Sequence, residues 1–132
     1  MPIDTRWLDQ QQSILVLTYK PELTWGEIDM LIGNRDSDVY RQQHPMCVIH
    51  VVEYLPAGAV LPHLKYILDV TPSRIVGAVV VLKLNGAGRV LLNAMLKVLV
   101  RLRSSPGMLV TANSLDEAVV LCRQRLNTIC VF

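Results

Sequence analysis

Few residues of this chain combine a chemically useful side chain with a useful spacing. The best-placed group is the turn Asn85-Gly86-Ala87-Gly88 followed by Arg89, which stands between an apolar run and a helical pattern. A glycine turn that opens a helix can present backbone N–H groups and the positive end of the helix to an anion. Gly86, Gly88 and Arg89 are therefore the candidate ligand-binding residues, for a phosphate or a lipid headgroup. The dinucleotide pattern asks for a third glycine or an alanine at position 91, where Leu91 stands, and the phosphate loop of nucleotide hydrolases asks for a Lys-Ser/Thr pair that is absent. A plain tight turn is the competing and favoured reading.

The other chemical groups are more scattered. His44, His50 and His63 lack the spacing that puts ligands on one helix face. His50 falls in the middle of a strand-like run, with Glu53 three residues later, so alternation sends the two to opposite faces. A hydrogen-bonded core or edge histidine is the expectation there, not a zinc or hydrolytic site. Asn34, Asp36 and Asp38 imitate part of a calcium loop without its glycine or its closing glutamate, and read as a solvated turn. The chain has three cysteines, none in a C-x-x-C spacing. Cys47 and Cys130 lie in strand-like runs and Cys122 in a helical one, and all three are expected to be buried free thiols. No metal site, no cofactor and no catalytic residue is expected, and hence no enzyme.

The elements that position these residues are clearer. Eight consecutive apolar residues, Ile75 to Leu82, form the centre of a strand over 74–84. The run is rich in valine and alternates with nothing polar, as a strand buried on both faces does. Met46–Val52 reads the same way. Ahead of them, 5–8 and 13–19 read as an antiparallel hairpin around the polar turn Asp9-Gln10-Gln11-Gln12. Thr24-Trp25-Gly26-Glu27 fits a capping box and starts a helix, and a short helix is expected over 60–68. After the glycine turn, a helix runs from Arg89 to about Arg103. Met108–Ala112 is a strand, and Ser114-Leu115-Asp116-Glu117 is a second capping box. The helix behind it carries Leu115, Ala118, Val119, Cys122 and Leu126 on one face. Residues 128–132 read as a last edge strand or an ordered tail.

The order is β-β-α-β-α-β-α-β-α. It implies an α/β fold, a central mixed sheet with packed helices, in a single domain over 1–132. This order resembles the STAS domain, the fold of bacterial anti-sigma-factor antagonists and of the cytoplasmic tails of sulfate transporters. The resemblance is carried by the hairpin leading to the capped helix at Thr24, by Val48-Ile49-His50-Val51-Val52 and the loop behind it, and by the strand and capped helix from Val110 to Ala118. Phosphorylatable antagonists of that family offer an Asp-Ser-Ser-Gly-like acceptor in that loop. Here the segment is His50-Val51-Val52-Glu53-Tyr54-Leu55-Pro56-Ala57-Gly58, and no serine or threonine occurs between Asp38 and Val70. The resemblance therefore implies a relative that is not switched by phosphorylation at this loop, and none of the family's functional residues carries over.

Composition bounds the role. Apolar residues make up 52% of the chain and charged residues 18%, with a net charge of +2 and aromatics at 5%. So small a positive charge and so few stacking side chains speak against nucleic acid. No apolar run approaches the roughly 20 residues of a membrane span, and no secretory pattern opens the chain, so a cytoplasmic protein is expected. The helix from Arg89 is the surface of interest. Leu91, Leu92, Met95, Val98, Leu99 and Leu102 form a broad expected core face, while Arg89, Asn93, Lys97 and Arg101 recur every four residues as a stripe that also takes in Val90 and Val100. Val90, Lys97, Val100 and Arg101 are the candidate partner surface, for a protein or, less favoured, an acidic membrane surface. The reading is a non-enzymatic interaction or regulatory domain, homodimeric, with an unidentified protein partner. The alternative is a small-molecule or lipid carrier with its anion site near 86–89.

Overall fold

The computed structural model describes residues 3–10, 13–19, 45–53, 75–83, 86–102 and 108–130, with backbone alone at 3, 99, 100, 102, 129 and 130. Its elements are β1 (Ile3–Trp7), β2 (Ile14–Tyr19), β3 (Met46–Val52), β4 (Ile75–Leu82), α1 (Ala87–Leu102), β5 (Met108–Ala112) and α2 (Leu115–Cys130). The five strands form one sheet in the order β1-β2-β3-β4-β5. β1 pairs antiparallel with β2, and every later pair is parallel. This is the mixed α/β sheet expected from the sequence. The helices anticipated at Thr24 and over 60–68 lie outside the described residues.

The hairpin is held by its turn. The Asp9 carboxylate accepts from the backbone N–H of Ser13 at 2.9 Å and of Ile14 at 3.3 Å, and from the Ser13 hydroxyl. Burial raises the Asp9 pKa, but these donors outweigh it and hold the carboxyl below its ordinary range. Leu8 N–H then donates to the Ile14 carbonyl at 3.0 Å, and the antiparallel ladder begins.

The register sorts the side chains into two faces, because successive residues of a strand alternate. Ile14, Cys47, Gly77 and Met108 lie level across the sheet, as do Val16, Ile49, Val79 and Val110. On this face pack Ala118 and Cys122 of α2, both fully buried, with Leu115, Val119 and Leu126 beside them. The apolar face of α2 is thus the one its periodicity gives. Leu15, Val48, Ala78 and Leu109 line the opposite face, followed by Leu17, His50, Val80 and Thr111. That side is buried too: Leu15, Leu17, Val48, Val80 and Leu109 are all shielded from water. Two-faced burial is why β2, β3 and β4 lack a polar alternation.

One irregularity interrupts the ladder. Ile75 is level with Met46, but Gly77, not Val76, is level with Cys47, so Val76 is an extra residue in β4. Its carbonyl accepts from Arg125 Nε of α2 at 3.1 Å. A Cβ on Gly77 would stand 3.0 Å from Cys47 Sγ and 3.1 Å from Met108 Cε, so glycine lets the helix and strands close up here.

The start of α2 is a capping box shifted by one residue. Ser114 Oγ accepts from Glu117 N–H at 3.2 Å, and Glu117 Oε2 accepts from Asn113 N–H at 3.0 Å, one position ahead of the usual partner. Ser114→Ala is expected to lower stability by about 1 kcal/mol. A lower denaturant midpoint at unchanged slope checks this. The expected edge strand or tail from 128 is not what forms: α2 continues to Cys130, so Cys130 is helical and not in a strand. Thr128 turns its hydroxyl onto the Gln124 carbonyl at 2.9 Å, which keeps the β-branched residue compatible with the helix.

Candidate functional site

The glycine turn forms as expected at the head of α1. Gly86 has φ of +68°, a left-handed conformation costly for other residues, and its carbonyl accepts the first helical bond from Val90 N–H at 3.3 Å. Gly88 lies in the first turn with open space around it. Arg89 is committed to the fold at this point. Its guanidinium donates to the Leu82 carbonyl at 3.4 Å and to Asn113 Oδ1 at 3.2 Å, bridging the end of β4 to the loop before α2. The three residues are adjacent, but the arginine's donors are directed at the chain itself.

α1 sits differently from the broad core face read in the sequence. Leu92 and Leu96 are buried, and Asn93 and Met95 are partly so. Leu91 is 52% exposed, Val98 47% and Val90 71%. Leu91 and Val98 therefore belong to the outer surface, a correction to the expected core face. At about 100° per residue, Ala87, Leu91, Ala94 and Val98 make one apolar strip along the helix, and Val90, Lys97 and Arg101 make the next. All seven are exposed. The Val100 side chain lies outside the described residues. α1 has three cations, Arg89, Lys97 and Arg101, and no carboxylate.

On the side of α1 facing β5 there is a cavity of about 410 Å³, lined by Asn93, Leu96, Lys97, Arg101, Leu109, Val110 and Thr111. It lies along the basic stripe and not beside Gly86. The four-residue spacing of Asn93, Lys97 and Arg101 was visible in the sequence, whereas its placement beside an edge strand was not.

Two further pairs, one half-buried and one fully buried, complete the described chemistry. Tyr19 and His50 stack with ring centroids 5.8 Å apart and planes within 4°. The Tyr19 hydroxyl is 2.6 Å from His50 Nδ1. Burial pushes the Tyr19 pKa up and lowers that of His50 to about 4, so the ring is neutral and Nδ1 accepts from the tyrosine. His50 thus has the hydrogen-bonded role expected of it, with a partner that the sequence did not indicate.

Cys47 and Cys122 are both free and fully buried. The Cys47 thiol is 3.8 Å from the Cys122 carbonyl. A hydrogen bond from the Cys122 thiol lowers the Cys47 pKa against the effect of burial, and the Arg125 charge adds to the lowering, while the same bond and burial push Cys122 up. The sequence shows no activating neighbour for Cys47, and the fold supplies two, Cys122 and Arg125. Neither thiol meets solvent, so neither presents a nucleophile at the surface. Among the described residues, no three His, Cys, Asp or Glu side chains converge as a metal site, and no helix is long and apolar enough to cross a membrane.

Comparison of the chain with protein-family models, with curated proteins and with solved structures finds no match to any of them.

Proposed function

We propose that the chain is a non-enzymatic interaction module of the regulatory kind that its resemblance to STAS domains implies. The outer face of α1 is its contact surface, and an acidic segment with apolar anchors is its partner. The observation that carries this is the exposure of Val90, Leu91 and Val98 on a helix with three cations and no carboxylate. Single exposed apolar residues are ordinary, but three on one helix surface form a patch that association would shield from water. The uncompensated positive charge favours an acidic partner over a second α1, since two copies face to face would oppose like charges. A homodimer, if it forms, is therefore expected to leave this helix free.

The test is capture from native lysate with wild-type bait and with Leu91→Asp and Val90→Asp baits. Wild type is expected to retain an acidic protein, released as ionic strength rises, and both variants are expected to lose it. The thermal transition should stay unchanged, because both side chains are exposed. Equal capture by the variants would overturn the reading. A dimer in light scattering that survives Leu91→Asp places self-association elsewhere, whereas one that dissociates assigns this face to the second copy.

A further inference from the structure

The groove between α1 and β5 has a different character from the outer strip. Its floor is apolar, made by Leu96 and Leu109, and its rim is polar, with Asn93, Lys97, Arg101 and Thr111. At about 410 Å³ it falls within the range of small-molecule sites. The two cations stand one helical turn apart, and among the described residues neither makes an ion pair or a hydrogen bond. Like charges at this spacing repel, so a negative group between them is favoured twice, by attraction to each and by relief of their repulsion. Asn93 and Thr111 add uncharged donors at the same rim, and β5 is the last strand of the described sheet, so the recess opens at a sheet edge.

We propose that this groove binds a small amphiphilic anion, a carboxylate or phosphate monoester on an aliphatic body. Lys97 and Arg101 hold the charged group, and Leu96 and Leu109 hold the aliphatic part. The inference goes beyond the interaction reading: it shares Lys97 and Arg101 with the basic stripe of α1, but it uses the β5 side and the apolar Leu96 and Leu109, not the Leu91–Val98 strip. It also moves the anion site away from Gly86–Arg89, where the arginine already bonds to Leu82 and Asn113.

The experiment is calorimetric titration of the full chain below micellar concentrations with decanoate, decyl phosphate, decanol and decyltrimethylammonium, and with inorganic phosphate. The two amphiphilic anions are expected to bind at least about tenfold more tightly than the alcohol, the cation or inorganic phosphate. Lys97→Gln with Arg101→Gln is expected to weaken anion binding by about tenfold or more, as loss of charge-assisted bonds does. Leu91→Asp is expected to leave it unchanged. Amide shifts at Leu109–Thr111 on adding decanoate locate the site. Binding of the alcohol as tight as that of the anions overturns the proposal, as does inorganic phosphate matching decyl phosphate. No binding of either anion at millimolar concentration, or full binding by the double variant, overturns it too. Loss of partner capture in Leu91→Asp with retained decanoate binding separates this site from the interaction face.

Discussion

Val79→Asp is expected to leave the chain unfolded. Val79 is fully buried at the middle of β4, level with Ile49 on one side and Val110 on the other, under α2. A carboxylate there would lose its hydration without gaining a donor, at a cost of several kcal/mol. The whole stability of a domain is about 5–15 kcal/mol, so one such group removes most of it. Val120→Asp is the matched control. The chemical change is the same, but Val120 is 53% exposed on α2, and the effect is expected within about 0.5 kcal/mol. Circular dichroism and a thermal scan of both variants read the difference. A cooperative, native-like transition in Val79→Asp would show that β4 is not an interior strand buried on both faces.

The second large effect is on acid stability. His50 has a folded pKa of about 4, against about 6.5 for an unperturbed histidine. Between those values the unfolded chain binds a proton that the folded chain refuses, so stability rises with pH across the window. The contribution is complete above about pH 6.5 and is lost progressively as pH falls to about 4. Two and a half units correspond to at most about 3 kcal/mol. His50→Gln should abolish that slope, because glutamine does not titrate. Asp9 acts in a separate, more acidic window. Its folded pKa is below the ordinary value of 3.8, so its contribution is present above that value and disappears as pH falls further. Urea denaturation at half-unit steps from pH 7 to 4 measures the slope. An identical slope in His50→Gln would remove the histidine from the account.

The central strands and α2 were legible because each has a signal that one segment carries alone. Ile75 to Leu82 has no polar alternation, and no amphipathic alternative competes with burial on both faces. Ser114 and Glu117 mark the start of α2 by residue type, and both side chains bond there. α1 was harder for the opposite reason. It is apolar over most of its circumference, so periodicity gives one broad apolar face and does not say which part of it meets the sheet. Among the described side chains of α1, the fold buries Leu92 and Leu96 and leaves Leu91 and Val98 outside. The polar pairs were out of reach because they depend on strand register. Tyr19 and His50 are 31 residues apart, and Cys47 and Cys122 are 75 apart. The extra residue at Val76, whose carbonyl takes the Arg125 contact, leaves no mark in composition. Of the candidate site, the basic stripe was visible as a four-residue spacing, while its groove needed β5 beside it.

The strand order has a consequence for synthesis on the ribosome. Strands follow one another across the sheet in the order in which they leave the exit tunnel. Each new strand therefore docks on the edge left by the one before it, and among the described strands none has to be inserted between two already paired. Assembly can advance as a zipper from the amino-terminal hairpin, with one growing edge at each stage. That edge is most apolar when it consists of β3 or β4, before the next strand covers it. A pause that holds β5 inside the tunnel after β4 has emerged would leave the nascent chain with its most adhesive edge open, whereas a pause after β5 has emerged would not.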